Sequence, residues 1–148
     1  MKNPADRTKR RGNAMVEFAL GLPLLLLVFT GVYRFGYTLY VYNLLQSAVR
    51  EGARYGSLAD YDGAISGSTF RTRVENMVVY ANPSPSGNPP AVVPGLTTGH
   101  VTVNPQLDAK GVPTKISVQI DGFRSNLFVV TLNGKPKSTF DYVGRYTN

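Results

Sequence analysis

The run FALGLPLLLLVFTGVY, from Phe18 to Tyr33, contains sixteen residues and no charge. Ala14 to Val16 extend it toward the amino terminus beyond Glu17, so the apolar stretch covers about twenty residues, 14 to 33. A helix rises about 1.5 Å per residue and a bilayer's hydrocarbon core is about 30 Å thick, which makes this the length of one membrane crossing. Net charge is +7, yet the first twelve residues hold Lys2, Arg7, Lys9, Arg10 and Arg11 against Asp6, leaving +3 for everything after Gly12. Basic clusters beside a membrane segment stay cytoplasmic, so the carboxyl-terminal part is expected outside the cytoplasm. Because the basic cluster abuts an apolar run instead of lying on an aromatic-interleaved folded surface, nucleic acid is not an expected partner and membrane lipid is.

A removable secretory signal has the same general plan of basic start and apolar core. Three features argue against it. Glu17 places a carboxylate inside the apolar stretch, at a cost of about 2.5–3.5 kcal/mol on insertion scales. No small-x-small cleavage site with a polar mature start follows Leu27. The continuation GVYRFGYTLYVYNLLQSAVREGARYGS keeps a helical pattern, with Tyr37, Val41, Leu44 and Ala48 at helical spacing. One helix is therefore expected from about Ala14 to Gly56, about 64 Å long. Pro23 removes a backbone donor and crowds the carbonyl four residues earlier, which predicts a kink or local unwinding near Ala19. Gly21, Gly31 and Gly36 do not form a GxxxG pattern.

RRGNAMVEFALGLPLLLL, residues 10–27, resembles the start of TadE/TadG-like pseudopilins of tight-adherence (Flp-type IV) pilus systems, and REGARYG, residues 50–56, resembles the end of their long helix. The resemblance covers about residues 10 to 57. It implies a pilin-like α+β fold: a long amino-terminal transmembrane helix, one short helix and a small antiparallel sheet. It further implies a basic leader, residues 1–12, cut by a prepilin peptidase between Gly12 and Asn13. Glu17 and Phe18 fall at the family's fifth and sixth mature positions. The domains implied are the leader, a helix over 13–57 with its span at about 14–33, and an extracytoplasmic domain over 58–148.

Glu17 then has two readings. Near the start of a helix a carboxylate gains at most about 1 kcal/mol from the helix dipole. Alternatively, Glu17 with Phe18 sets axial register by pairing with the amino terminus of a neighbouring pilin or pseudopilin subunit, since a charge in the membrane needs a partner. The family often carries an acid near the position of Arg34; here the sign is reversed, and the local reading is a basic anchor at the outer membrane interface. Further partners implied are other pilin subunits and the pilus assembly platform. The implied function is that of a minor pilin or pseudopilin in the bacterial inner membrane, contributing to assembly or initiation of a pilus for surface attachment. The alternatives are a binding module on an uncleaved anchor and a major pilin, the latter usually a much shorter chain.

Near the end of that helix Glu51 can pair with Arg54 three residues on, but a surface pair contributes about 0–1 kcal/mol, and the reading is a solvated helix end. Ser68 is expected to cap a short helix with Phe70, Val74, Met77 and Val78 on its apolar face. NPSPSGNPPAVVPG, residues 82–95, has five prolines and reads as an exposed irregular loop. Alternation in HVTVN, TKISVQIDGF and STFDYVGRYT predicts three antiparallel strands, with SNLFVVTLNG a fourth strand or connection and a turn at Asn133–Gly134. With no cysteine, one histidine (His100) and no phosphate loop, HExxH or GxSxG, the chain offers neither an enzyme site, a metal site nor a cofactor site. Asp60 and Asp62 lack the later glutamate of a calcium loop.

Overall fold

A computed structural model describes the backbone of residues 4–62, 68–124 and 131–147, and the side chains of residues 14–61, 69–124 and 131–145. Helix α1 spans Pro4–Leu58, followed by strand β1 (Tyr61–Asp62), helix α2 (Ser68–Tyr80), a 3-10 turn (Thr98–His100), β2 (Val101–Leu107), β3 (Pro113–Phe123), β4 (Leu132–Asp141) and β5 (Tyr146–Thr147). The fold is α+β, with a long apolar amino-terminal helix, a short helix and a small antiparallel sheet. Chain contacts divide it into two units, Met1–Thr38 and Leu39–Asn148, so the boundary falls inside α1.

In the carboxyl-terminal unit the distal part of α1 buries Val41, Leu45, Ala48, Val49 and Ala53, spaced three and four apart along one face. Helix α2 contributes Phe70, Val74, Val78 and Val79, and the sheet contributes Val101, Val103, Ile116, Val118, Ile120 and Phe123. Small residues allow the layers to approach. A Cβ added at Gly52 would overlap Val78 Cγ2, and one at Gly56 would lie 3.1 Å from both Ile116 Cγ2 and Val74 Cγ2. The glycines of the REGARYG segment are thus the places where α2 and β3 reach the backbone of α1.

The sheet is antiparallel in the order β2-β3-β4. Its register aligns Thr102, Gln119 and Lys137 in one row, Asn104, Ser117 and Thr139 in the next, and Gln106, Lys115 and Asp141 in a third. These polar rows form the face opposite Ile116, Val118 and Ile120, as strand alternation requires. Both outer strands contain a proline, Pro105 in β2 and Pro136 in β4.

Several expectations need correction. Asn133 and Gly134 lie inside β4, where the register jumps from Asp121↔Asn133 to Gln119↔Lys137, so they form an irregularity in a strand and not a turn. The physical reason is a set of cross-strand bonds: the Gly134 N–H donates to Asp121 Oδ1 (2.6 Å), the Gly122 N–H donates to Asn133 Oδ1 (3.1 Å), and Gly134 takes φ +68°. STFDYVGRYT is not one strand. Its first four residues end β4, and Tyr146–Thr147 pair in parallel with Tyr61–Asp62 in a separate two-stranded ladder. Of SNLFVVTLNG, residues 125–130 lie outside the described residues, as do 63–67 of the turn-rich segment and the side chain of Ser68.

The proline-rich loop is irregular but not wholly exposed. Val93 and Leu96 are buried in the core, and the Val92 N–H donates to the Val79 carbonyl (2.8 Å), which ties the loop to α2. Burial of these two apolar side chains outweighs the bias of a proline-rich stretch toward solvent.

Candidate membrane segment and its functional residues

Within the amino-terminal unit, α1 is the described element, and its sequence carries the apolar run. The segment from Ala14 is long and apolar enough to cross a membrane, and none of its most apolar window is buried inside the protein. Large side chains from Met15 to Phe35 are 39% to 76% exposed. A Leu side chain left in water forgoes about 1.5–3 kcal/mol, so the six exposed leucines between Leu20 and Leu27 forgo on the order of 10 kcal/mol, comparable to the net stability of a domain. Among the described residues nothing covers this surface, and a hydrocarbon environment would remove that cost.

Gly12 and Asn13 occupy consecutive helical positions in α1, and Glu17 and Phe18 follow one turn later. Glu17 and Phe18 are both exposed, and Gly21, one turn beyond Glu17 on the same face, has open space around it. Pro23 lies inside α1, which continues as a helix on both sides of it. Arg34 is exposed, and its carbonyl accepts the Thr38 hydroxyl (2.8 Å). Seventeen residues separate Glu17 from Arg34, an axial rise of about 26 Å. The two charges therefore bracket one hydrocarbon thickness, with Pro23 between them.

Electrostatics elsewhere is sparse. Glu51 and Arg54 are both exposed near the end of α1 and form no ion pair, a solvated helix end where holding two side chains together gains little. Among the described residues the ion pair formed is Lys115 Nζ with Asp141 Oδ1, at 3.6 Å across β3 and β4. His100 has a local role. Its Nδ1 accepts the Thr97 N–H (3.2 Å) and lies 2.9 Å from the Thr97 hydroxyl, while its ring meets Phe123 edge-on at 5.6 Å. No group of three His, Cys, Asp or Glu residues able to hold a metal occurs among the described residues. The open groove between α2 and the proline-rich loop, about 430 Å³, is lined by Thr69, Arg73, Asn76, Pro83 and neighbours, with no nucleophile and base together.

Two polar arrangements of the carboxyl-terminal unit escaped the sequence reading. Tyr142 Oη accepts the Tyr61 N–H (3.0 Å) and stands 2.9 Å from the Ala59 carbonyl and 2.7 Å from that of Arg145, so its single proton serves one of the two. Burial raises this phenol's pKa, and the bond from Tyr61 opposes the rise. With the Val143 N–H donating to Ser57 O (2.9 Å), this fastens the segment after β4 to the end of α1. The second arrangement centres on Asp121, whose pKa is lowered first by its bond from Gln119, then by Thr102, with the Gly134 N–H adding to the effect. A tyrosine inside an alternating segment and an aspartate in a strand give no local sign of such distant partners.

Comparison with known families matches residues 12–54 to the family described as TadE-like protein. The matched segment runs from the Gly12–Asn13 junction through the apolar run to the glycine-containing end of α1, slightly under a third of the chain. This is consistent with a TadE/TadG-like protein of the tight-adherence pilus system, a family that is generally non-enzymatic. The apolar helix agrees with membrane anchoring. Neither the curated proteins nor the solved structures provide a match.

Proposed function

We propose that this protein is a minor pilin or pseudopilin, anchored by a single membrane span, that contributes to assembly or initiation of a tight-adherence pilus for surface attachment. The observation that carries the reading is the exposed apolar segment of α1, coinciding with the match to the TadE-like family over residues 12–54. The basic cluster before it favours a cytoplasmic amino terminus and an extracytoplasmic outer unit.

In this reading a prepilin peptidase cuts between Gly12 and Asn13, and the mature helix leads with a new α-amino group. Glu17 lies four residues on, about 6 Å along the helix. Its carboxylate sets register by pairing with the amino terminus of an adjacent pilin-like subunit. The open surface at Gly21 leaves room for close approach, Pro23 provides local adaptability, and Arg34 holds the outer interface. The assembly platform and other pilin subunits are the partners this role requires.

Intact-mass measurement on protein from cells with and without their prepilin peptidase tests the proposal. A mature chain beginning at Asn13 only when the peptidase is present is the expected result. Retention of residues 1–12 in both cells would instead favour a binding module on an uncleaved anchor.

A further inference from the structure

The protein has nine tyrosines, and all lie at or after position 33. Tyr33 closes the uncharged run, and Phe35 and Tyr37 follow within four residues. At about 100° per residue, Tyr33 and Tyr37 share one face of α1 while Phe35 points almost to the opposite side. Tyr33 is 64% exposed and Phe35 65%, so both sides of the helix present aromatic surface at this level. A helix that packs one face into a protein core gathers its large apolar side chains on that face. A lipid layer surrounds the helix and imposes no such preference.

We infer that Tyr33 and Phe35 form an aromatic collar seated among phospholipid headgroups at the outer face of the membrane. The inference rests on the proposed membrane anchoring and extends it from a single basic anchor to a recognition surface for lipid. Two observations support it independently. The axial rise from Ala14 to Tyr33 is about 28 Å, so the collar begins where a hydrocarbon layer that starts near Ala14 would end. The exposed ring of Tyr33 also suits the place: tyrosine presents an apolar body with a polar hydroxyl, and such residues are enriched at membrane interfaces. The segment before it, residues 14–32, holds two phenylalanines and no tyrosine.

The protein has no tryptophan, so single reporters can be introduced into the full chain. Tyr33→Trp, Phe35→Trp and, as a depth control, Leu25→Trp are reconstituted in vesicles of phosphatidylethanolamine and phosphatidylglycerol. Spin labels are placed on the lipids either near the headgroup or near the acyl-chain end. The expected result is stronger quenching of both Tyr33→Trp and Phe35→Trp by the shallow label, with Leu25→Trp quenched more by the deep one. Lipid quenching at only one of the two collar positions, or quenching of both by aqueous iodide alone, overturns the collar while leaving the anchor intact if Leu25→Trp remains deep. Absence of lipid quenching at Leu25→Trp would remove the anchor itself, and the collar with it.

Discussion

Gly52 is the position where a single added methyl should reveal how tightly the carboxyl-terminal unit is assembled. In an exposed helix interior, Gly→Ala stabilises by about 0.8–1 kcal/mol through helix propensity. At Gly52 the new Cβ would overlap Val78 Cγ2 and stand 3.5 Å from the Val74 carbonyl oxygen. Val78 is fully buried, and a valine in a helix has essentially one good rotamer, so it cannot swing aside cheaply. Overpacking a well-filled core costs about 1–3 kcal/mol. With the upper end appropriate to a stiff neighbour, and the propensity gain subtracted, Gly52→Ala should destabilise by about 2 kcal/mol. Gly56→Ala, whose Cβ would meet Ile116 and Val74 at 3.1 Å, should lie near neutral, and Gly36→Ala, with nothing within 4 Å, should stabilise slightly. Denaturant unfolding of the full chain in detergent, followed by circular dichroism, reads the series. Combining Gly52→Ala with Val78→Ala should cost less than the sum of the two, because the new methyl enters the space vacated. If Gly52→Ala is as stable as the parent, or the double variant is strictly additive, the close approach of α1 and α2 described here is wrong.

Other expectations follow from particular contacts. Tyr142→Phe removes the hydroxyl joining Tyr61 to the carbonyls of Ala59 and Arg145, and should cost about 1–2 kcal/mol in the same unfolding assay. Asp121 has a folded-state pKa below its ordinary value, so the stability it contributes is present above the unfolded-state pKa and disappears as pH falls through the folded one. An acid titration of stability should therefore be shallower in Asp121→Asn than in the parent. Glu17→Ala should leave membrane insertion intact, since removing a carboxylate favours insertion, yet impair assembly. Normal piliation in cells carrying that variant would contradict the register role.

The long helix was legible because length, hydrophobicity and spacing agree over some forty residues, and α2 because Phe70, Val74 and Val78 repeat at helical intervals. Strands β2 and β3 were legible from alternation, as Val101 and Val103, then Ile116, Val118 and Ile120, face the core. The carboxyl-terminal region was not, and the reason is physical. An Asn-Gly pair supplies a left-handed backbone that serves a turn or an irregularity in a strand equally well, and the choice at Gly134 is made by Asp121, thirteen residues away. Likewise Tyr142 and Gly144 break an apparently continuous strand because one bonds to and the other lies beside the chain near Ala59; a Cβ at Gly144 would come 2.6 Å from the Ala59 oxygen. At the proposed assembly segment residue types were readable, whereas their role depends on a neighbour that no single chain contains.

The prolines in β2 and β4 bear on how such a protein could be crowded without harm. Subunits gathered at a growing fibre would bring sheet margins together at high local concentration, and an uninterrupted margin of main-chain donors invites foreign strands to join. Pro105 removes one donor from one margin; Lys135, Pro136, Lys137 and the irregular register disrupt the other. Uncontrolled strand addition is thereby discouraged on both flanks of the sheet that the described residues form.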